Sequence, residues 1–506
     1  MIDKVGFYNF RKFKSLPPIS LGGVNILVGE NNSGKSTFTK GVLLMSNFLS
    51  EYPFDDMKGE DPYPHKQFHF TKDKRLYIDN FYQALSLCET DGIIGLNCSI
   101  DDFDFSLYLW TPWVFEDTEE WKKEEILIVN KEMPLQANMK AVYPELLEKK
   151  PELYKKSLSV DEASVLEAEF TDRKRGLIFG YDYYAKYSYV NFPGVSILKR
   201  MYEVLDSLYY SDCSQEERLA LLAEKDRLDN ELECHKDRGD RNTSTIWIDP
   251  HTASHDRIVN IINSMRLPSE KNKTVIDSYR ELCSLHRAIN IEYIYAHSVH
   301  QMSSYSRGEG SGYVDETVSQ YYEHRNNDSD SFVRSWMSYF DIGEDFKIAE
   351  IDGKKLSVEI SDGNIWLDLS SKGIGAIQLF IFLLRMAVIV VSDKVDRTTV
   401  IIEEPEQNLH PKLQSLLADF FWEVNGKYGC QFIVETHSEY LVRKSQVIVA
   451  KQHYSEENIS ENPFRVFYFR KEGLPYRMNY RPDGKFSNEF GPGFFDEASN
   501  LAFELF

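Results

Sequence analysis

The sequence predicts an α/β protein: a P-loop core with a mixed sheet, an antiparallel β-subdomain, and a helical arm inserted between the two halves of the core. Three observations carry this prediction. The first is Gly29-Glu30-Asn31-Asn32-Ser33-Gly34-Lys35-Ser36, which follows the apolar run Val24 to Val28 and reads as strand, phosphate loop and helix start. The second is a pair of late apolar runs, one ending in Glu403-Glu404 and the other in Thr436-His437-Ser438. Buried parallel strands have this near-continuous apolar character, and they deliver polar residues to their C-terminal edge. The third is a shift to charged, helically spaced sequence between Val195 and Asn290. The domain division that follows is 1–194, 195–290 and 291–506, with the first and last segments building the core.

Taken in order, Val5-Gly6-Phe7-Tyr8-Asn9-Phe10-Arg11 alternates as a strand does and is expected beside the P-loop strand, with Gly22-Gly23 turning into it. Thr37 to Leu49 has apolar residues at helical spacing (Phe38, Val42, Leu43, Phe48), as the helix after a phosphate loop requires. A polar, Pro-bearing loop spans Glu51 to Lys74. Short strand-like runs then appear at Ile93–Ile100, Phe103–Trp110, Glu125–Val129 and Gly176–Tyr181, which suggests an antiparallel β-subdomain. The Glu- and Lys-rich stretch 111–170 has the weakest pattern. In the arm, Ile197, Met201, Leu205 and Leu208 form one helical face and Leu221, Leu228 and Leu232 another, with a turn at Asp237 to Asn242. Sustained heptads are too few for a long coiled coil. Beyond it, Ile291–Tyr295, Phe346–Ile351, Lys355–Ile360 and Ile365–Leu367 read as strands, and Phe332–Phe340 and Lys412–Trp422 as helices. The run Ile374 to Val391 approaches membrane-spanning length, but Gln378 and Arg385 interrupt it, so a buried helix is expected.

The chemistry of these residues is specific. Gly29 and Gly34 let the backbone N–H groups of the loop, through Asn31, Asn32 and Ser33, turn inward on a phosphate, with Thr37 following on the first helical turn. Lys35 supplies a point charge and Ser36 offers a hydroxyl to Mg²⁺. Phosphoryl transfer is mostly positioning and charge stabilisation. Glu403 is therefore assigned to the metal shell and Glu404 to polarising the attacking water. His437, at the end of the next strand, is placed to sense a γ-phosphate. Ser371 and Gly373, at the start of the Ile374 helix, form an anion site of the helix-terminus kind.

Composition bounds the partners. The chain of 506 residues has 42% hydrophobic and 27% charged residues, an ordinary globular balance. Its 58 basic and 80 acidic side chains give a net charge of −22, so nucleic acid would have to be met by a local basic patch, and no basic run is present. The six cysteines lack a CxxC pair, and the N-terminus lacks a signal-peptide pattern, which points to a reducing cytoplasm. Cys283-Ser284-Leu285-His286 and Cys234-His235 lack a matching second pair at zinc spacing.

With these motifs in order, the chain resembles the ABC-type ATPases of the SMC, RecF and OLD kind. The loop at Gly29–Ser36 matches Walker A, Ser371-Lys372-Gly373 looks like a degenerate signature motif without the usual double glycine, Val400–Glu404 matches Walker B, and Thr436-His437-Ser438 matches the switch histidine. The run Glu403-Glu404-Pro405-Glu406-Gln407-Asn408-Leu409-His410-Pro411 is similar to Walker B and the following loop of bacterial OLD-like members. The tail, from Arg465 to Glu497, is similar to a group that includes phage-defence ATPases such as the PtuA subunit of Septu and the AriA subunit of PARIS. The resemblance implies ATP and Mg²⁺ as cofactors, with Gln83 the candidate for the glutamine that joins the metal shell. It implies a homodimer or higher homo-oligomer in which Ser371 and Gly373 of one subunit face the P-loop, Glu403, Glu404 and His437 of another. A separate effector nuclease of HNH or Toprim type is the implied partner. About seventy residues follow His437, fewer than a domain of about a hundred residues needs, so a built-in Toprim nuclease is not expected.

Two alternatives compete with a switch of this kind. One is a RecF-like repair ATPase that binds DNA directly, with nucleic acid as its partner; the negative charge weighs against it. The other is an intrinsic nuclease built on Asp101, Asp102 and Asp104, for which no metal-ligand spacing speaks.

Overall fold

The structure is a computed structural model that describes residues 1–51, 67–70, 78, 80–86, 94–110, 162–182, 187–191, 246–248, 290–295, 302–306, 312–351, 353–363, 365–496 and 501–504, with 222–223 and part of 273–282. The strands in chain order are β1 (Ile2–Phe10), β2 (Phe13–Ser20), β3 (Val24–Gly29), β4 (Gln67–His69), β5 (Ile94–Ile100), β6 (Phe103–Trp110), β7 (Glu162–Asp172), β8 (Leu177–Asp182), β9 (Tyr187–Asn191) and β10 (Ile246–Ile248). They continue with β11 (Asn290–Tyr295), β12 (Tyr305–Ser306), β13 (Asp345–Glu350), β14 (Lys355–Asp362), β15 (Ile365–Asp368), β16 (Thr398–Glu403), β17 (Gln431–Glu435), β18 (Phe464–Phe469) and β19 (Tyr476–Met478). The helices are α1 (Lys35–Glu51), α2 (Phe81–Ala84), α3 (Tyr313–His324), α4 (Asn327–Tyr339), α5 (Ile374–Val390), α6 (Pro411–Tyr428) and α7 (Glu439–Lys451).

The chain divides into two compact units, one of Met1, Leu21–Thr39 and Ala288–Phe506, the other of Ile2–Ser20 and Lys40–Arg287. The first unit holds a six-stranded sheet of order β11-β16-β17-β3-β18-β19, parallel except for the β18–β19 hairpin. All six residues of β3 and all five of β17 are buried, as the apolar character of their sequences requires for strands covered on both faces. Asn25, the polar exception in β3, is satisfied: its side-chain amide donates to Gly22 O and Phe432 O, both at 2.9 Å. A small sheet of β12, β14, β13 and β15 belongs to the same unit.

Helix α5 is almost wholly buried, from Ile377 to Val390. Its interrupting residues have partners: Arg385 binds Glu292 at 2.5 Å and also Gln320, and Gln378 accepts from Asn408 at 3.3 Å. Among the described residues no helix is long and apolar enough to cross a membrane. Helix α6 begins with Pro411 and ends at Gly429 with φ +75°, the proline-first, glycine-last pattern of a well-specified helix. The C-terminal tail packs on β18 through aromatic contacts, Tyr468 to Phe490 at 5.5 Å between ring centres, with the Arg443 guanidinium over Phe495.

The second unit holds a nine-stranded sheet, order β10-β9-β8-β7-β6-β5-β1-β2 with β4 on β7, in which every pairing is antiparallel. One sequence expectation is corrected here. β1 does not lie beside the P-loop strand; it pairs with β2 and β5, because both edges of β3 are taken by β17 and by β18, a strand from the far end of the chain. Within 195–290, Ile246–Ile248 forms a strand against β9. Most of the expected helical arm, and the run Glu125–Val129, lie outside the described residues.

Candidate nucleotide site

The parallel register sets the site. Glu403 at the end of β16 pairs with Glu435 at the end of β17, and Glu435 pairs with Leu27 of β3. On the other side of β3, Phe469 pairs with Gly29. The C-terminal strand edge thus gathers the phosphate loop and two carboxylates in adjacent positions, the arrangement in which open parallel sheets bind ligands. Gly29 is demanded twice over. Its φ is +136°, and a Cβ there would collide with the carbonyl oxygen of Phe469. Asn32 holds a left-handed φ of +58°, which asparagine tolerates better than most residues.

Within the loop, Asn31 and Asn32 are exposed and Ser33, Gly34 and Lys35 are buried, while Thr37 is half-buried on the first turn of α1. The Lys35 ammonium donates to Gly29 O at 3.0 Å and Glu30 O at 2.9 Å, so its charge sits inside the loop. Burial lowers its pKa, opposed by the nearby carboxylates of Glu435, Glu404 and Glu406. The Ser36 hydroxyl donates to Glu435 Oε1 at 2.8 Å. One turn later, the Thr39 hydroxyl donates to Glu403 Oε1 at 3.2 Å. One face of α1 is therefore held to the two strand ends by two hydroxyl–carboxylate pairs.

Glu404 follows β16 with φ +46° and precedes Pro405, a strained backbone for a glutamate. It is fixed by its N–H donating to Glu435 O at 2.7 Å and by Gln407 Nε2 donating to its Oε2 at 2.6 Å. Its other oxygen stands 3.8 Å from His437 Nε2. Burial lowers the His437 pKa, Lys35 lowers it further, and Glu404 opposes, a balance that favours the neutral imidazole. A neutral imidazole can accept or donate a hydrogen bond beside the Glu404 carboxylate.

Sequence reasoning missed two members of this group. Glu435, only 5% exposed, carries no motif signal beyond standing two residues before the histidine. Burial, then the charge of Glu403, pushes its pKa up to about 7, against the pull of Ser36 and Lys35. Glu406, also buried, accepts the backbone N–H of His437 at 2.6 Å and so fixes the histidine loop from below. Its pKa is raised, chiefly by burial. Ser438 completes the loop by capping α7, accepting from Leu441 N at 3.2 Å.

Ser371 and Gly373 stand apart from this group. No hydrogen bond or ion pair joins them to the P-loop, Glu403, Glu404 or His437 among the described residues. Both are exposed, at the N-terminus of α5, and a Cβ on Gly373 would meet nothing within 4 Å. The same helix end touches the loop after β16, since a Cβ on Gly375 would lie 2.5 Å from Asn408 O. Gln83 belongs to the other unit, on α2, where its backbone N–H donates to Asn80 Oδ1 at 2.9 Å.

The donor set suits Mg²⁺, a hard cation that takes one or two carboxylates, a hydroxyl and phosphate oxygens rather than a cage of protein ligands. Ser36, Glu403 and Glu435 supply such groups. Among the described residues no cluster of three or more His, Cys, Asp or Glu is spaced to hold a metal alone. Asp101 and Asp102 form the β5–β6 hairpin turn, and Asp104 lies in β6 opposite Ser99. Asp101 has φ +50°, Asp104 accepts from Ser99 at 2.6 Å, Asp102 O accepts from Arg173 N at 2.9 Å, and Arg173 pairs with Asp104 at 3.5 Å. Of the cysteines weighed as ligands, Cys234 and Cys283 lie outside the described residues, as do His235 and His286.

No curated protein matches the chain. Solved structures that it is similar to include an SMC head domain from Thermotoga maritima (10% identity, 95% of this chain and 99% of that one, TM-score 0.34). A second is an Smc head domain with a coiled coil and joint from Pyrococcus yayanosii (12%, 96% and 98%, 0.35). A third is an Smc head domain with an extended coiled coil from Pyrococcus furiosus, bound to the C-terminal domain of ScpA (10%, 100% and 99%, 0.33). The sequence profile of the AAA ATPase domain family (AAA_15) matches residues 1–442, most of the chain and all of the nucleotide-site residues above: the chain belongs to that family and is an ATPase.

Proposed function

We propose that the chain is an ATP-driven switch whose two nucleotide sites are each completed by a second copy. Lys35, Ser36, Glu403, Glu404 and His437 of one subunit would hold the nucleotide, and Ser371 and Gly373 of the other would cover it. The observation that carries this reading is the exposed Ser371–Gly373 segment. Nothing among the described residues of its own chain requires glycine at 373, and the segment opens the N-terminus of a long buried helix, where backbone N–H groups suit an anion. ATP binding then closes the dimer and hydrolysis releases it. Mg²⁺, when bound, supplies charge neutralisation at the phosphates. Gln83 is the candidate for the glutamine that joins the metal shell.

Glu404 is the group that polarises the attacking water, with the neutral His437 imidazole beside it. Glutamine at 404 keeps the size of the side chain and removes the base. Purified Glu404→Gln protein is expected to retain ATP and to shift toward dimers or larger assemblies in size-exclusion chromatography with light scattering. A variant that binds ATP but stays monomeric at every concentration would sink the sandwich.

The finer reading is that this switch restrains or releases a separate nuclease of HNH or Toprim type in cytoplasmic anti-phage defence. Its support is the resemblance of the Glu403–Pro411 run and of the tail. The chain alone, incubated with duplex DNA and Mg²⁺ or Mn²⁺, is then expected to leave the DNA intact. Cleavage that disappears on substituting Asp101, Asp102 and Asp104 would favour an intrinsic nuclease instead.

A further inference from the structure

The hydroxyl that a phosphate loop offers to Mg²⁺ must present a lone pair, so its proton needs an acceptor elsewhere. In this chain the acceptor is not Glu403, the carboxylate at the end of the apolar strand β16, whose Oε1 is engaged by Thr39. Glu435 Oε1 takes the Ser36 proton at 2.8 Å from the neighbouring strand β17. The second oxygen of the same carboxylate, Glu435 Oε2, is buried and has no hydrogen-bond partner among the described residues. A buried carboxylate oxygen left without a donor carries an uncompensated desolvation cost, larger when it is charged. Such a cost persists where a ligand repays it. Glu435 is also locked in place: its backbone carbonyl accepts Glu404 N–H, and its strand is hydrogen-bonded on both sides, to β16 and β3.

We propose that Glu435 is the positioning residue of the Mg²⁺ shell, aiming the Ser36 hydroxyl through one oxygen and receiving a cation-bound water on the other. The proposal rests on the nucleotide-site reading above and deepens it. It gives the strand before the switch histidine a role of its own, so that the carboxylates of β16 and β17 divide the work: Glu403 with Thr39 on one side, Glu435 with Ser36 on the other. Outer-shell acceptors of this kind typically govern metal affinity by 10–100-fold.

The test uses the full chain and a fluorescent ATP analogue, titrated first in EDTA and then with increasing Mg²⁺. Glu435→Gln keeps an oxygen for the Ser36 proton but turns the second acceptor into a donor. It is expected to bind the analogue in EDTA within about twofold of wild type and to need at least about tenfold more Mg²⁺ for the metal-dependent gain in affinity. In a Ser36→Ala background the same substitution should have a much smaller effect, because the shared partner is gone. A Mg²⁺ titration of Glu435→Gln that superimposes on wild type overturns the proposal. So does a loss of affinity equal in EDTA and Mg²⁺, which would mark Glu435 as a prop of the loop alone. Failure of the wild-type chain to bind the analogue under either condition removes the nucleotide-site reading itself, and that outcome is visible before any variant is made.

Discussion

Glu404, the residue proposed to polarise water, sits on a backbone that no glutamate prefers. A left-handed conformation costs a residue with a Cβ roughly 1–2 kcal/mol, and the following proline tightens the restriction. The strain persists because Glu404 N–H is tied to Glu435 O and its side chain to Gln407. Glu404→Gly should therefore leave chemical-denaturation stability unchanged or raise it by up to about 1 kcal/mol, while ATP turnover is lost. A variant that is both inactive and strongly destabilised would mean that the side chain holds the loop rather than acting on water. Glu435 gives a pH prediction of definite sign. Its folded pKa, about 7, is raised above the ordinary 4.5. The stability that belongs to the protonated form is thus complete below the ordinary pKa and is lost as pH rises through about 7, by at most about 3 kcal/mol. In EDTA, the thermal midpoint of wild type should fall more between about pH 6 and about pH 8 than that of Glu435→Gln. Equal falls would mean that Glu435 ionises normally. At this scale the sequence pointed to residues that follow an apolar run within a known motif, as Lys35, Glu403, Glu404 and His437 do. It was silent on Glu435 and Glu406, whose importance lies in strand register and in a hydrogen bond to a backbone N–H, and neither leaves a spacing in the chain.

At the scale of elements, one contact joins the two halves of the proposed site within a single subunit. The start of α5, which carries Gly373 one residue before it, packs on the loop after β16 so closely that only glycine fits at 375. The nearest atom to a Cβ there would be the carbonyl oxygen of Asn408, itself in a left-handed conformation. Gly375→Ala must displace backbone on one side or the other, at a cost of about 1–3 kcal/mol. Turnover should fall further than ATP affinity, because the displaced loop begins at Glu404 while the phosphate loop is untouched. Steady-state hydrolysis beside equilibrium binding checks this; an equal loss in both would place the damage at the phosphate loop. Local pattern was a good guide to the elements themselves: β5, β6, β13 to β15 and α5 lie within a residue or two of their expected bounds. It failed for β1, whose alternation is that of a strand in either sheet. Only the distant strand β18 decides which sheet it joins, by filling the open edge of β3.

For the whole molecule, the question is whether a site is built by one chain or two. A head-to-tail dimer with twofold symmetry pairs the phosphate loop of each copy with the Ser371–Gly373 segment of the other. Complementation distinguishes this from a self-contained site. Lys35→Ala damages the phosphate loop and leaves the covering segment whole. Gly373→Asp does the reverse, and the open space around Gly373 lets the folded chain accept the larger residue. Each variant alone should be almost inactive. Mixed in equal amounts and allowed to exchange, half of the dimers contain one of each, and in those one of the two sites is assembled from undamaged parts. Activity should then return to about a quarter of the wild-type value, less if both sites must fire together. A self-contained site predicts no recovery at any mixing ratio, since each chain keeps its own defect. Recovery that needs ATP and is lost on dilution would tie the regained turnover to association of the two chains.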